Sequence, residues 1–101
     1  MPGFKFQASI SSGEMTSSDI ILTGPGAITG IKVVTDGNND ATLIVYDNTA
    51  ASGTVIDETT VVAANNYGGR NVIFPIKVNN GIYAAISGAN ASYFIEYIPY
   101  V

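Results

Sequence analysis

Apolar residues in this chain alternate or gather in runs of four to eight, and Gly, Pro, Asn, Ser or Asp breaks each run after a short interval. A helix needs apolar residues three and four apart over ten or more positions, and no stretch keeps that spacing. Short runs separated by frequent turn residues mark an antiparallel all-β sandwich or barrel. The pattern predicts strands at 4–10, 19–23, 27–35, 42–47, 54–62, 72–78, 82–87 and 92–98. Eight strands in 101 residues suit a jelly roll or a related β-sandwich, in one domain over 1–101. "TGPG" at 23–26 is a turn by composition. "NNG" at 79–81 predicts a tight hairpin, since Asn and Gly accept positive φ. "GANA" at 88–91 predicts the next hairpin, so the last three strands read as an antiparallel meander. Pro75 cannot donate to a ladder and places 72–78 at an edge or a bulge. The most loop-like segment is "SSGEMTSS" at 11–18, and neither an internal repeat nor a linker suggests a second domain.

Composition narrows the chemistry. Without cysteine, no disulfide framework or thiolate metal site is available. Without histidine, the commonest general base near neutral pH is missing. The net charge is −4, and the four basic residues (Lys5, Lys32, Arg70, Lys77) are scattered, so the clustered positive charge that nucleic acid demands is absent. Charged residues make up 12% of the chain, against about 25% in a typical soluble domain. The longest apolar run, "IYAAI" at 82–86, is far short of the roughly 20 residues that a spanning helix needs. "MPGFKFQASIS" has neither the basic start nor the apolar core of a signal peptide, so neither export nor membrane insertion is expected. A surface this poor in charge suggests a chain partly covered by a partner.

Several strands are apolar on both faces, whereas a half-exposed strand alternates apolar with polar. At the C-terminus Phe94, Glu96, Ile98 and Tyr100 share one face, and Tyr93, Ile95, Tyr97 and Val101 share the other. In "TLIVY", Leu43 and Val45 oppose Ile44 and Tyr46. Val72, Phe74, Ile76 and Val78 read as a core face, with Ile73 opposite. A two-sheet sandwich buries one face of each sheet, so the surplus is either ordinary exposed surface or an interface. Tyrosine favours interfaces, where its ring packs and its hydroxyl finds a partner.

The best metal candidate is "DGNND", where Asp36, Asn38 and Asp40 have the oxygen spacing that opens a calcium loop. Ala41 stands where that loop needs Gly, and no Glu follows at the bidentate position. The stretch therefore reads as a turn from strand 27–35 to strand 42–47, with no metal and no cofactor expected. "DNTAASG" reads as a longer loop entering strand 54–62. Serine or threonine nucleophiles lack a base, and no two acids are marked as a pair, so catalysis is not expected. "NNYGGRN" at 65–71 lacks the P-loop and dinucleotide fingerprints. It reads as a loop between strands, or as a mount on which Gly68 and Gly69 project Tyr67 and Arg70 for binding. "NAS" at 90–92 matches a glycosylation acceptor but sits in a turn of a chain with no export signal.

"GAITGIKVVTDGNNDATLIVYDNTAASGTVI" followed by "YGGRNVIFPIKVNNGIYAAISGANASYFIEYI", roughly residues 26 to 98, resembles small all-β virion proteins of tailed bacteriophages. These act as capsid decoration, cement or accessory proteins. The resemblance implies a virion subunit without an active site, made in the host cytoplasm. It would act as a homo-oligomer, specifically a trimer, bound to the major capsid protein or another virion protein. The expected protein-interface residues are Tyr67, Arg70, Tyr93, Tyr97 and Tyr100. The alternative is a carbohydrate-binding module or receptor-binding tip. "NNYGGRN" supplies candidate side chains for it, although tryptophan is absent.

Overall fold

The computed structural model describes residues 8–100, and within them every side chain except those of residues 70–73. Among the described residues eight strands run in chain order: β1 (Ile10–Ser11), β2 (Asp19–Thr23), β3 (Gly26–Val34), β4 (Ala41–Asp47), β5 (Thr54–Val61), β6 (Tyr67–Val78), β7 (Gly81–Ser87) and β8 (Ser92–Pro99). A 3-10 turn at Ala63–Asn65 lies between β5 and β6. Among the described residues no helix is long and apolar enough to cross a membrane.

The strands form two four-stranded sheets, β1-β8-β3-β6 (sheet A) and β2-β7-β4-β5 (sheet B). Every pairing between strands is antiparallel. This is the jelly-roll order. The chain pairs β4 with β5, β3 with β6, β2 with β7 and β1 with β8, as one long hairpin would. Rolling that hairpin up brings β8 beside β3 and β7 beside β4, which closes the two sheets. Apart from β4–β5, successive strands therefore lie in opposite sheets.

That connectivity corrects the meander expected for the last three strands. β7 belongs to sheet B, while β6 and β8 belong to sheet A, so the turns at 79–81 and 88–91 are arches between sheets. Asn and Gly in a short segment signal a tight reversal, but they do not say in which sheet the next strand pairs. The core decides it. Val78 of β6 and Tyr93 and Ile95 of β8 point inward from one sheet, and Ile82 and Ala84 of β7 point inward from the other. In a single meander those faces would lie side by side and need another layer to cover them.

The core also takes Ile28, Ile31 and Val33 from β3, Ala41, Leu43 and Val45 from β4, and Val61 from β5. Each large side chain buried this way is worth about 1.5–3 kcal/mol relative to exposure. Leu43 and Val45 face in while Ile44 and Tyr46 face out, as the alternation predicts.

β6 departs from expectation in two places. It begins at Tyr67, so most of "NNYGGRN" is strand and not loop: Tyr67 to Asn71 pair with Val34 to Gly30. Its alternation then breaks, because Ile28 pairs with Ile76 and Gly30 with Asn71, leaving residues 72–75 opposite Thr29 alone. Pro75 lies in this bulge on an edge strand, where its missing N–H costs no ladder bond. The core face expected from Val72, Phe74, Ile76 and Val78 is therefore only partly present. Val78 is buried and Ile76 packs against the core, but Phe74 is 84% exposed. The side chains of Val72 and Ile73 lie outside the described residues, as do residues 4–7 of the strand expected at 4–10, and Val101.

Candidate binding faces

The acidic turn between β3 and β4 stitches backbone together. Asp36 Oδ1 accepts from the backbone N–H groups of Asn38 (2.8 Å) and Asn39 (2.9 Å). Its Oδ2 accepts from the side-chain amides of Asn39 (2.9 Å) and Asn90 (3.1 Å). The Asn38 N–H foremost, then these amides, lowers the Asp36 carboxyl to about 2. Asp40 accepts from Ala63 N–H at 2.9 Å, tying in the 3-10 turn. At the other end of the sandwich Asp47 accepts from Asn79 and Asn80 N–H, its shortest bond 2.8 Å, and fixes the β6–β7 arch. These carboxylates are turn caps. Among the described residues, no group of three or more acidic, histidine or cysteine side chains gathers at one point.

Two surfaces remain, one on the outer side of each sheet. On sheet B a single ladder row runs across all four strands: Ile20 pairs with Tyr83, Tyr83 with Tyr46, and Tyr46 with Val55. Paired residues share a face, and these lie on the side away from Leu43 and Val45. Ile20 and Val55 are 44% and 50% exposed, and the two tyrosines are half-buried. Tyr46 and Tyr83 meet edge to face with ring centres 6.5 Å apart, a favoured aromatic geometry. The next row is Ala85, Ile44 and Glu58, and beyond it Ser87, Thr42 and Thr60 present hydroxyls. Exposed apolar residues scattered singly are normal. A continuous row is a patch, and patches mark interaction surfaces.

On sheet A the outer side is mixed. Lys32 of β3 pairs with Phe94 of β8, and Tyr67 of β6 stands one row away beside Val34. The Lys32 ammonium lies 5.6 Å from the Tyr67 ring centre and 5.8 Å from that of Phe94, within cation–π range. Glu96 occupies the next row, beside Ser11 of β1. A groove of about 260 Å³ opens here, lined by Ser11, Ile31, Lys32, Phe94 and Glu96.

The five expected interface residues are dispersed. Tyr67 is 65% exposed on sheet A, and Tyr100, at the end of the described chain, is 45% exposed. Tyr97 is half-buried against the core. The Arg70 backbone pairs with Ile31, and its side chain lies outside the described residues. Tyr93 is corrected outright: its side chain is fully buried, and its hydroxyl donates to Ser17 O at 2.8 Å. Burial first, then the charge of Asp19 and the neighbouring Tyr83, pushes its phenol up to about 12. The sheet B row is not legible in the sequence, because Ile20, Tyr46, Val55 and Tyr83 come from four strands and meet only through register. The outward Ile44–Tyr46 pair was its one local sign.

No protein-family model matches the chain, and neither does any curated protein or any solved structure.

Proposed function

We propose that this chain is a non-enzymatic structural subunit that works by binding protein: a decoration, cement or accessory protein on a tailed-bacteriophage particle. It acts there as a homo-oligomer, a trimer, attached to the major capsid protein or another virion protein. The particle and the trimer rest on the resemblance of residues 26 to 98. The binding role rests on one observation, the apolar row Ile20–Tyr83–Tyr46–Val55 on the outer side of sheet B, away from the sandwich core and open among the described residues. A jelly roll is used by capsid proteins and by lectins alike, so the fold alone selects neither.

Magnitude limits what the row can do by itself. Its remaining apolar area is on the order of 250 Å², worth about 6 kcal/mol at ~25 cal/mol per Å². Losing translational and rotational freedom costs about 4–15 kcal/mol. The row therefore needs help from further contacts. Repeated attachment to a particle, or closure into a ring, supplies the rest by raising effective concentration.

The test is Tyr46→Lys, which puts a charge in the row and leaves the inward face untouched. The expected result is an oligomer by light scattering in the wild type, a monomer in the variant, and loss of co-sedimentation with capsids at a nearly unchanged melting temperature. A wild-type chain that is monomeric at micromolar concentration and ignores capsids overturns the reading.

A further inference from the structure

The outer side of sheet A differs from sheet B in chemistry, and its groove is shaped by backbone. Lys32 has Phe94 on one side and Gly69 on the other, and Glu96 pairs with Gly30. Two glycines thus add no side chain of their own to the rows around Lys32. Gly69 sits at φ 137°, and a Cβ there would run into the carbonyl oxygen of Ile31. Backbone geometry keeps that position glycine. Among the described residues, no hydrogen bond or ion pair joins the Lys32 ammonium or the Glu96 carboxylate to a partner, and both face the groove. The groove therefore offers an aromatic face, an acceptor, an ammonium donor and the Ser11 hydroxyl within about 260 Å³.

We propose that this groove binds a neutral glycan, holding one pyranose ring against Phe94. A pyranose has an apolar C–H face that packs on an aromatic ring, and a rim of hydroxyls that both donate and accept. Glu96 accepts from one hydroxyl, and Lys32 and Ser11 donate to others. Other ligand classes fit less well. An anionic ligand such as a phosphate or an acidic peptide meets Glu96, a cationic one meets Lys32, and a purely apolar one leaves both charges unpaired. The Glu96 carboxylate has no partner among the described residues, Lys32 meets only the Tyr67 and Phe94 rings, and Ser11 Oγ accepts from Gly13 N–H while its own O–H remains to donate; this set matches a polyol. The site is open and shallow, so single sugars bind in the millimolar range and avidity on a multivalent particle strengthens them. It lies on the opposite sheet from the oligomer contact and does not depend on it.

The experiment is an amide-shift titration by heteronuclear NMR of the isotope-labelled full chain with glucose, galactose and N-acetylglucosamine to tens of millimolar. The expected result is that at least one sugar shifts the amides of Lys32, Phe94 and Glu96 and leaves the Tyr46–Tyr83 row still. Phe94→Ala and Glu96→Gln should each weaken that binding about tenfold or more, with solution mass unchanged. Glu96 is exposed, so its variant tests the site without challenging the fold. If none of the three sugars moves these amides, or if both variants bind as well as the wild type, the proposal is overturned. The Tyr46→Lys variant should keep the sugar response, so failure of the oligomer reading and failure of this one are separate results.

Discussion

Tyr93 offers the sharpest test, because the sequence suggests a contact residue and the structure makes it a core residue. The ring is fully buried on the inner face of β8, its hydroxyl donates to Ser17 O at 2.8 Å, and its backbone N–H and C=O both pair with Met15 at 2.9 Å. Tyr93→Ala empties a ring-sized space between the sheets, and losses of this kind cost about 3–5 kcal/mol. A domain of this size holds only about 5–15 kcal/mol in total, so the loss takes a large share of it. Tyr93→Phe keeps the ring and removes one hydrogen bond, worth about 1 kcal/mol, or roughly 4–8 °C in Tm.

The phenol adds a pH signature. Its folded pKa, about 12, lies above the ordinary phenol value of 10.0, so the folded state holds the proton more tightly. The stabilisation is complete below pH 10 and is lost as pH rises from 10 to 12. The slope is at most about 1.4 kcal/mol per pH unit within the window. Denaturant unfolding between pH 8 and 12, wild type against Tyr93→Phe, should show that part of the alkaline loss missing in the variant. If Tyr93→Ala costs less than about 1 kcal/mol and instead lowers the solution mass, Tyr93 is a contact residue and its core assignment is wrong.

Gly69→Ala should destabilise the chain by more than about 1 kcal/mol, since strain at positive φ is joined by collision with β3. Gly24→Ala is the control: at φ 96° it carries strain alone, with nothing within 4 Å of its Cβ. Calorimetry should rank Gly69→Ala clearly below Gly24→Ala in Tm, and equal values would show that the close approach is relaxed. Asp36 has a depressed folded pKa, about 2 against 3.8. Its contribution is full above about pH 4 and is lost as pH falls toward 2. The acid-side drop in Tm should therefore shrink in Asp36→Ala, and an unchanged drop would mean the turn does not depend on this carboxylate.

How far the sequence was legible depends on whether the information was local. Strand positions were local: β2 at 19–23 and β7 within 81–87 follow from apolar runs and their punctuation. The edge-or-bulge reading of Pro75 was also local, since one missing N–H suffices for it. Sheet membership was not local. "NNG" reads the same whether the chain returns beside β6 or crosses to sheet B, and only the need to cover Ile82 and Ala84 with Val78 and Tyr93 separates the two. Phe74 misled because alternation was carried across a bulge of four residues that shifts parity. Tyr93 misled for a related reason. A tyrosine in a strand apolar on both faces has no mark for which face is inside, and its hydroxyl is satisfied by Ser17, far away in sequence.

The binding faces were least legible because each is assembled by register. Lys32, Tyr67, Phe94 and Glu96 become neighbours only after β3 pairs with β6 on one side and β8 on the other. Jelly-roll wrapping makes this outcome general. It sends alternate strands to opposite sheets, so the two outer faces draw on separate parts of the chain and their chemistries vary independently. Here sheet B carries an apolar row with Glu58 in the next row, and sheet A brings Lys32, Glu96, Tyr67 and Phe94 together. A surface that must exclude water over a broad contact and a surface that must pair single hydroxyls have opposite requirements, and one sheet could not meet both. Separate sheets allow a subunit to be held by one face while the other stays open to solvent. The proposed structural role and the proposed glycan groove would use that division, and it is why Tyr46→Lys and Glu96→Gln should fail in different assays.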